Sequence, residues 1–336
     1  MRLEDVASRA KVSVSTVSRV VNGFEAIRPS TRKRVMAVLD EMNYRPNLQA
    51  RDLVAGRSKT LGVIVSNLEN PFFVDIFHNL EAQAHRAGYE VLVGNTNYEP
   101  ERLIASIDLF LGRRVAGLAI ITSEHVPPDQ KQLAQANIPI ASYDSMVTGR
   151  RSTGVRFNHL LGMKQLVQHL YSLGHRRMAY IGYRLPLASI DERRDAFVAT
   201  TKELGIKHFH LFVQEFSDLV AGRDATRELL SSGFSPTAIL CVNDLVAIGV
   251  LRELRNRNIT VPDEISVTGF DNIALAEFSS PSITTIHIPR DRIASALFRS
   301  LAATEAQAAE QPTVYMVDPE LIVRESTGMA PRKPKR

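Results

Sequence analysis

From Leu61 to about residue 325, short apolar runs alternate with amphipathic stretches. LGVIVSN is followed by PFFVDIFHNLEAQAHRAG, and further apolar runs follow in turn: YEVLVGN, VAGLAIIT, IPIASYDS, RMAYIGY, HLFVQ, AILCVND, ISVTGFD and ITTIHIP. Runs that are apolar throughout fit strands buried on both faces. Helical stretches between them fit crossover connections, so the rhythm predicts parallel sheets covered by helices. About ten strands over this length point to two doubly wound subdomains, not to one sheet. Sheets of this kind bind ligands outside the carboxyl ends of their strands.

The first sixty residues have a different pattern. LEDVASRA places Leu3, Val6, Ala7 and Ala10 at helical spacing. STRKRVMAVLDEMN puts Val35, Val38, Leu39 and Met42 on one face, with a start near Arg28–Ser30 and Pro29 where a first turn tolerates it. Between them lies SVSTVSRVVN, which by composition is strand-like. Placed on a helix, it gathers Val17, Val20 and Val21 on one face. Ser15, Ser18 and Arg19 fall on the other, with Val14 at its edge. Ser13 fits the N-cap. A strand there would find no partner nearby, whereas a helix can pack on its two neighbours. An exposed face of small hydroxyls and one arginine suits entry into the DNA major groove, where arginine pairs with guanine O6 and N7. The pattern is a helix-turn-helix whose second helix is the reader.

Charge supports a polyanionic partner for this part alone. Residues 1–60 carry 12 Lys/Arg and 6 Asp/Glu, a net of +6, while the whole chain is +5, leaving −1 for the rest. Residues 44–60, YRPNLQARDLVAGRSKT, form a transition: Pro46 ends the preceding helix, Asn47 can cap another and Gly56 stops it. The resulting helix of about eight residues is too short to be stable alone in water. The expected division is a helix-turn-helix domain over 1–46, a hinge helix and linker over 47–60, a core over 61–325 and a basic tail over 326–336.

Other signals narrow the class. A lone cysteine, Cys241, excludes an internal disulfide and fits a reducing compartment. No apolar run approaches a membrane span, and MRLEDVASRAK has acids where a secretory signal has an apolar core, so a cytoplasmic protein is expected. Phosphate-loop, dinucleotide, nucleophile-elbow and zincin signatures are missing, so neither an enzyme nor a cofactor is expected. His208 and His210 flank Phe209 as alternating strand residues would, and no metal site is expected.

DVASRAKVSVSTVSRVVNG followed by TRKRVMAVLDEMNYRPN strongly resembles the N-terminal domain of the LacI/GalR family of transcriptional regulators. NPFFVDIFHNLEAQAHRAGYEVLVGNTN, HLYSLGHRRMAYIGY and CVNDLVAIGVLRELRNRNITVPDEISVTGFDN resemble its periplasmic-binding-protein-like core of type I. The resemblance implies a homodimeric repressor on a pseudo-palindromic operator in double-stranded DNA. It implies base reading by Val14, Ser15 and Arg19, phosphate contacts by Ser13, Thr16 and Asn22, and a minor-groove wedge at Leu53. Arg28 stands where many members carry a Ser or Asp cap.

For the cleft, the resemblance implies an aromatic clamp in NPFF, with Asn70, Phe72 and Phe73, and a stacking position at Phe216. Asp144, Arg193, Asn243 and Asp271 match positions that hydrogen-bond ligand hydroxyls. Ser145 replaces the arginine of ribose-type members, Ile288 a frequent glutamine, and Leu187 a charged contact of the purine-binding branch. The expected effector is a small molecule, a sugar or sugar acid, with Arg184 and Arg193 leaving room for an anionic group. A transport or chemoreceptor protein on the same core is the rival from another class. Control by a nucleobase or by a protein partner is the rival among regulators.

Overall fold

The computed structural model describes residues 3–21, 24, 26–44, 58–122, 124, 133, 135–144, 151–183, 185, 187–214, 218–303 and 313–332. The chain divides into two compact units, Met1–Lys59 and Thr60–Arg336.

In the first unit three helices, α1 (Leu3–Ala10), α2 (Val14–Val21) and α3 (Pro29–Glu41), share one core. Val6, Ala7 and Ala10 meet Val17 and Val20, and Val35, Val38 and Leu39 close the cluster. Each buried valine contributes about 1.5–3 kcal/mol. Its helix-propensity deficit is at most about 0.7 kcal/mol, so packing decides the conformation of the valine-rich α2. Arg28 is the N-cap residue of α3 and makes no side-chain capping bond; Pro29 begins the helix.

The second unit contains strands β1 (Thr60–Val65), β2 (Glu90–Asn95), β3 (Gly117–Ile121), β4 (Ile140–Tyr143), β5 (Ser152–Phe157), β6 (Arg177–Tyr183), β7 (His208–Gln214), β8 (Ala238–Cys241), β9 (Ser266–Thr268), β10 (Thr285–His287), β11 (Thr313–Val317) and β12 (Glu320–Ile322). Its helices are α4 (Pro71–Arg86), α5 (Pro100–Gly112), α6 (His159–Ser172), α7 (Ala188–Glu203), α8 (Asp218–Ser231), α9 (Asp244–Asn256), α10 (Ala274–Phe278) and α11 (Arg290–Ala302). One sheet has the order β11-β5-β4-β3-β1-β2 and a second β7-β6-β8-β9. Every described pairing within these two sheets is parallel. β10 and β12 form a separate antiparallel pair. The chain thus builds β1–β5, crosses to build β6–β9, and returns so that β11 joins β5.

The two-residue period of a strand explains the layers. In β1, Leu61, Val63 and Val65 pack in one cluster with Phe72, Phe73, Ile76 and Leu80 of α4. Ile64 points the other way, into a cluster with Leu103, Ile107 and Phe110 of α5. Helices therefore cover both faces, as the continuous apolar runs require.

Two boundaries differ from the sequence reading. β5, β11 and β12 are absent from the expected strands, and β5 and β11 break the apolar rule. STGVRF in β5 is small and polar, while β11 is an edge strand with Val314, Tyr315 and Met316 exposed. The core also runs past residue 325 into the expected tail. Ser326 is fully buried, its carbonyl accepting from Val267 N–H at 2.8 Å and its hydroxyl donating to Val267 O at 2.6 Å. His175 Nε2 lies 3.0 Å from Gly328 O, and Ala330 N–H donates to Leu173 O at 2.9 Å. A single serine satisfying a buried strand end leaves no hydropathy signal, so composition there suggested a tail.

Candidate functional site

The cleft forms where the strands of the two parallel sheets end. Asn70 caps α4, its Oδ1 accepting from Phe72 N–H at 3.0 Å, and this turn delivers Phe72 and Phe73. Their rings meet edge to face, with centroids 5.2 Å apart. Phe72 lies 5.8 Å from the Tyr143 ring, and Phe73 6.3 Å from the Tyr98 ring. Tyr143 ends β4 and Tyr183 ends β6. Asp144 follows with φ +60° and Asp271 has φ +109°, both left-handed conformations that turn the side chain off a strand end. These residues line one cavity with Leu187, Ser189, Ile190, Arg193 and Asn243. Its volume is about 30 Å³.

Arg193, on α7, is held by the protein itself. Its Nη1 donates to Val242 O at 2.7 Å and its Nε to His159 Nδ1 at 3.2 Å. Nη2 is 3.1 Å from Asp271 Oδ1, and the guanidinium carbon sits 3.9 Å above the Phe270 ring. Because His159 Nδ1 accepts, Nε2–H is left to donate to Asp144 Oδ2 at 2.8 Å. Burial works to raise the Asp144 carboxyl, but His159 and the Arg193 charge outweigh it and hold it below its usual value. Asp271 is shifted the other way: burial raises it, and Arg193 and Arg290 only partly offset that.

Asn243 caps α9, its Oδ1 accepting from Val246 N–H at 2.8 Å. Its Nδ2 donates to Asp218 Oδ1 at 2.8 Å and to the Tyr183 hydroxyl at 3.2 Å. Burial pushes the Asp218 carboxyl up to about 6. The helices bearing these two residues approach closely at two glycines. A Cβ on Gly222 would lie 2.1 Å from Val246 O, and one on Gly249 would lie 2.1 Å from Leu219 O.

The geometry brings together Asn70, Phe72, Phe73, Asp144, Arg193, Asn243 and Asp271, seven of the eight residues expected in the cleft. Phe216, with Ser145 and Arg184, lies outside the described residues. The side chains of Asn70, Arg193 and Asn243 are largely occupied by internal bonds. Polar capacity remains elsewhere: among the described residues, Tyr143 Oη is buried without a hydrogen-bond partner. Arg193 Nη2 and Asp271 Oδ1 form an ion pair at 3.1 Å. Ile288 is fully buried and is not among the lining residues. Tyr98, Tyr143, Tyr183, Ser189, Ile190, His159 and Asp218 were missed by sequence reasoning. Three tyrosines at or just beyond strand ends were a signal, since that is where such sheets bind ligands.

In the first unit, α2 presents Val14, Ser15 and Arg19 outward, Val14 being 42% exposed. Ser13 Oγ accepts from Thr16 N–H at 3.2 Å and lies 2.9 Å from Ser15 Oγ and 2.8 Å from Thr16 Oγ1. Hydroxyls therefore gather at a helix N-terminus that has no acid in its first turn, which is favourable for an anion. Asn22 and Leu53 lie outside the described residues. His208 and His210 are exposed on β7, His210 stacking on Phe234 at 4.3 Å.

Residues 2–47 match the bacterial regulatory proteins of the lacI family, and residues 167–327 a periplasmic binding protein-like domain. The chain is 30% identical to the HTH-type transcriptional repressor PurR of Glaesserella parasuis, over 96% of this chain and 97% of that one. A lac repressor dimer bound to operator and the anti-inducer ONPF is similar with TM-score 0.81 and 28% identity, covering 98% of this chain and 99% of the other. A LacI family regulator from Enterococcus faecium with bound ribose is similar at TM-score 0.72 and 25% identity, over 80% and 99%. Among the described residues no helix is long and apolar enough to cross a membrane. The chain is a DNA-binding transcriptional repressor of the LacI family.

Proposed function

We propose that this repressor is a homodimer whose operator affinity is set by a neutral sugar held in the cleft of the second unit. One observation carries the ligand class: the Tyr143 hydroxyl lies at the cleft, buried and without a hydrogen-bond partner among the described residues, beside Asp271, whose Oδ1 faces Arg193 Nη2 at 3.1 Å. Leaving a buried polar atom unsatisfied costs about 1–3 kcal/mol. A ligand hydroxyl meeting Tyr143 would recover that cost, while Phe72 and Phe73 offer a ring their faces. The described cleft arginine, Arg193, is already matched by Asp271, His159 and Val242, so an anionic group finds no spare charge there. This favours a neutral sugar over a sugar acid. Ribose in the Enterococcus faecium regulator agrees with the class.

A cavity of about 30 Å³ is far smaller than the roughly 150 Å³ that admits benzene, so the sugar must widen the cleft as it enters. Such a change can alter DNA binding only if the two cleft states differ in sugar affinity. On DNA, Val14, Ser15 and Arg19 read bases, Ser13, Thr16 and Asn22 hold phosphates, and Leu53 wedges the minor groove.

A thermal-shift screen of the full chain against neutral sugars, sugar acids and nucleobases tests the ligand class, because a ligand of the folded state raises the midpoint by mass action. A rise confined to one or a few neutral sugars is expected. A response to a nucleobase with none to sugars would replace this reading.

A further inference from the structure

Arg290 ties the two halves of the second unit together at a residue of the cleft. It opens α11, which packs on α4 and on β3, β4 and β5, so its backbone belongs to the half that begins with β1. Its side chain, 14% exposed, reaches the loop that follows β9 in the other half. There Nη1 donates to Asp271 O, and Nη2 donates to Asn272 O at 2.8 Å. The remaining edge of the guanidinium meets α4, with Nε 3.0 Å from Asp75 Oδ2. One planar group therefore holds a carboxylate of one half and two successive carbonyls of the other. The donors of arginine form a fixed fork, so neither set of bonds moves without the other.

The loop that Arg290 grips is stiff. Asp271 and Asn272 both have left-handed backbones, with φ +109° and +54°. Asp271 N–H donates to Ile286 O at 3.0 Å, and Asn272 N–H to Thr285 Oγ1 at 3.3 Å. Arg324 Nη2 donates to Asn272 Oδ1 at 2.8 Å. A displacement of Asp271 thus carries its carbonyl, and the guanidinium on it, as one piece. At the other end, Asp75 follows Phe72 by three residues, so both lie on one side of α4. Its neighbour Ile76 shares a core cluster with Leu61, Val63 and Val65 of β1. β1 begins at Thr60, directly after Lys59, the last residue of the first unit.

We propose that Arg290 is a positioning residue for the effector response, carrying a displacement of Asp271 to α4 through its ion pair with Asp75. The proposal rests on the reading of Asp271 as an effector contact. Its test uses no effector, so the two can fail separately.

The test is methyl NMR of the full chain labelled at the isoleucine δ1 groups. Asp271→Asn supplies the displacement, because it removes the charge that faces Arg193 at 3.1 Å. Ile76 reports on α4, and Ile190, which lines the cleft beside Arg193, reports the local change. Asp271→Asn should shift both resonances. In an Asp75→Asn background the Ile76 shift should shrink at least threefold, while the Ile190 shift is retained. Asp75 is 43% exposed, and an ion pair at such a position contributes little stability, so this background keeps its fold. Arg290→Lys, which keeps the charge without the fork, should act like Asp75→Asn, whereas Asp75→Glu should preserve the Ile76 shift. An Ile76 shift undiminished in Asp75→Asn would overturn the proposal and assign transmission to the aromatic contacts of the cleft. No Ile76 shift with Asp75 intact, or loss of the Ile190 shift together with that of Ile76, would overturn it as well.

Discussion

Asp218 accepts a hydrogen bond from Asn243 Nδ2 at 2.8 Å, while Asn243 Oδ1 accepts from Val246 N–H and starts α9. One asparagine therefore fixes both a helix terminus and a cleft carboxylate. The arrangement rests on the glycine-to-backbone contacts of α8 with α9 at Gly222 and Gly249.

Gly249→Ala places a methyl group against Leu219 O, a backbone atom that cannot rotate away. Overpacking of this kind costs about 1–3 kcal/mol. The thermal midpoint should fall, and the effector response should weaken more than operator binding, because the displaced helix carries Asp218. Calorimetry and an operator-binding assay on the same sample check this.

Burial pushes Asp218 up to about 6 and, with the repulsion of Asp271, pushes Asp244 up to about 7. Unfolded aspartates titrate near 3.8, so the folded protein holds these protons where the unfolded chain has lost them. Their contribution to stability is complete below about pH 4 and is lost as pH rises through 6 to 7. Urea denaturation across pH 4.5–7.5, a range chosen to span about these values, should show stability falling with pH through these groups. The slope should be visibly flatter in Asp218→Asn.

At the head of α2, Ser13→Ala removes the hydroxyl that accepts from Thr16 N–H. The expected loss is about 1 kcal/mol of stability in the first unit, read by hydrogen exchange of α1 to α3. Arg19→Ala touches no core residue, so it should leave that stability unchanged and reduce discrimination against altered half-sites. Competition binding with mutated operators measures the second effect.

Arg193→Ala strands Asp271 and leaves His159 Nδ1 without its donor. Breaking a buried pair in this way costs about 3–5 kcal/mol. Arg193→Lys should restore part of the charge balance but not the three-way contact with Asp271, His159 and Val242. Its denaturation midpoint is expected between those of the wild type and the alanine variant.

The layered architecture was legible because parallel strands buried on both faces have to be apolar, as the fully buried GLAII run of β3 is. The reading helix was legible from the spacing of Val17 and Val20 despite its composition. Strands made of polar or exposed residues, β5 and β11, carried no such signal. In the cleft, the sequence identified the residues that converge but not how they are used. Arg193 looked available to an anion, and only the positions of Val242, His159 and Asp271 show its bonds already made. Tyr143 was not singled out at all, and its unpartnered hydroxyl depends on contacts that no local pattern encodes.

The central claim is that a neutral sugar controls DNA binding through the buried Asp271 carboxylate of the cleft. Its most direct test is fluorescence anisotropy on an operator selected by the full chain from random DNA, titrated with neutral sugars in the wild type and in Asp271→Asn. The account expects one sugar to change the operator Kd of the wild type by at least about tenfold, a coupling of about 1.4 kcal/mol. Asp271→Asn should bind the operator normally and ignore the sugar. An equal sugar response in both proteins, or none to any neutral sugar in the wild type, would contradict it.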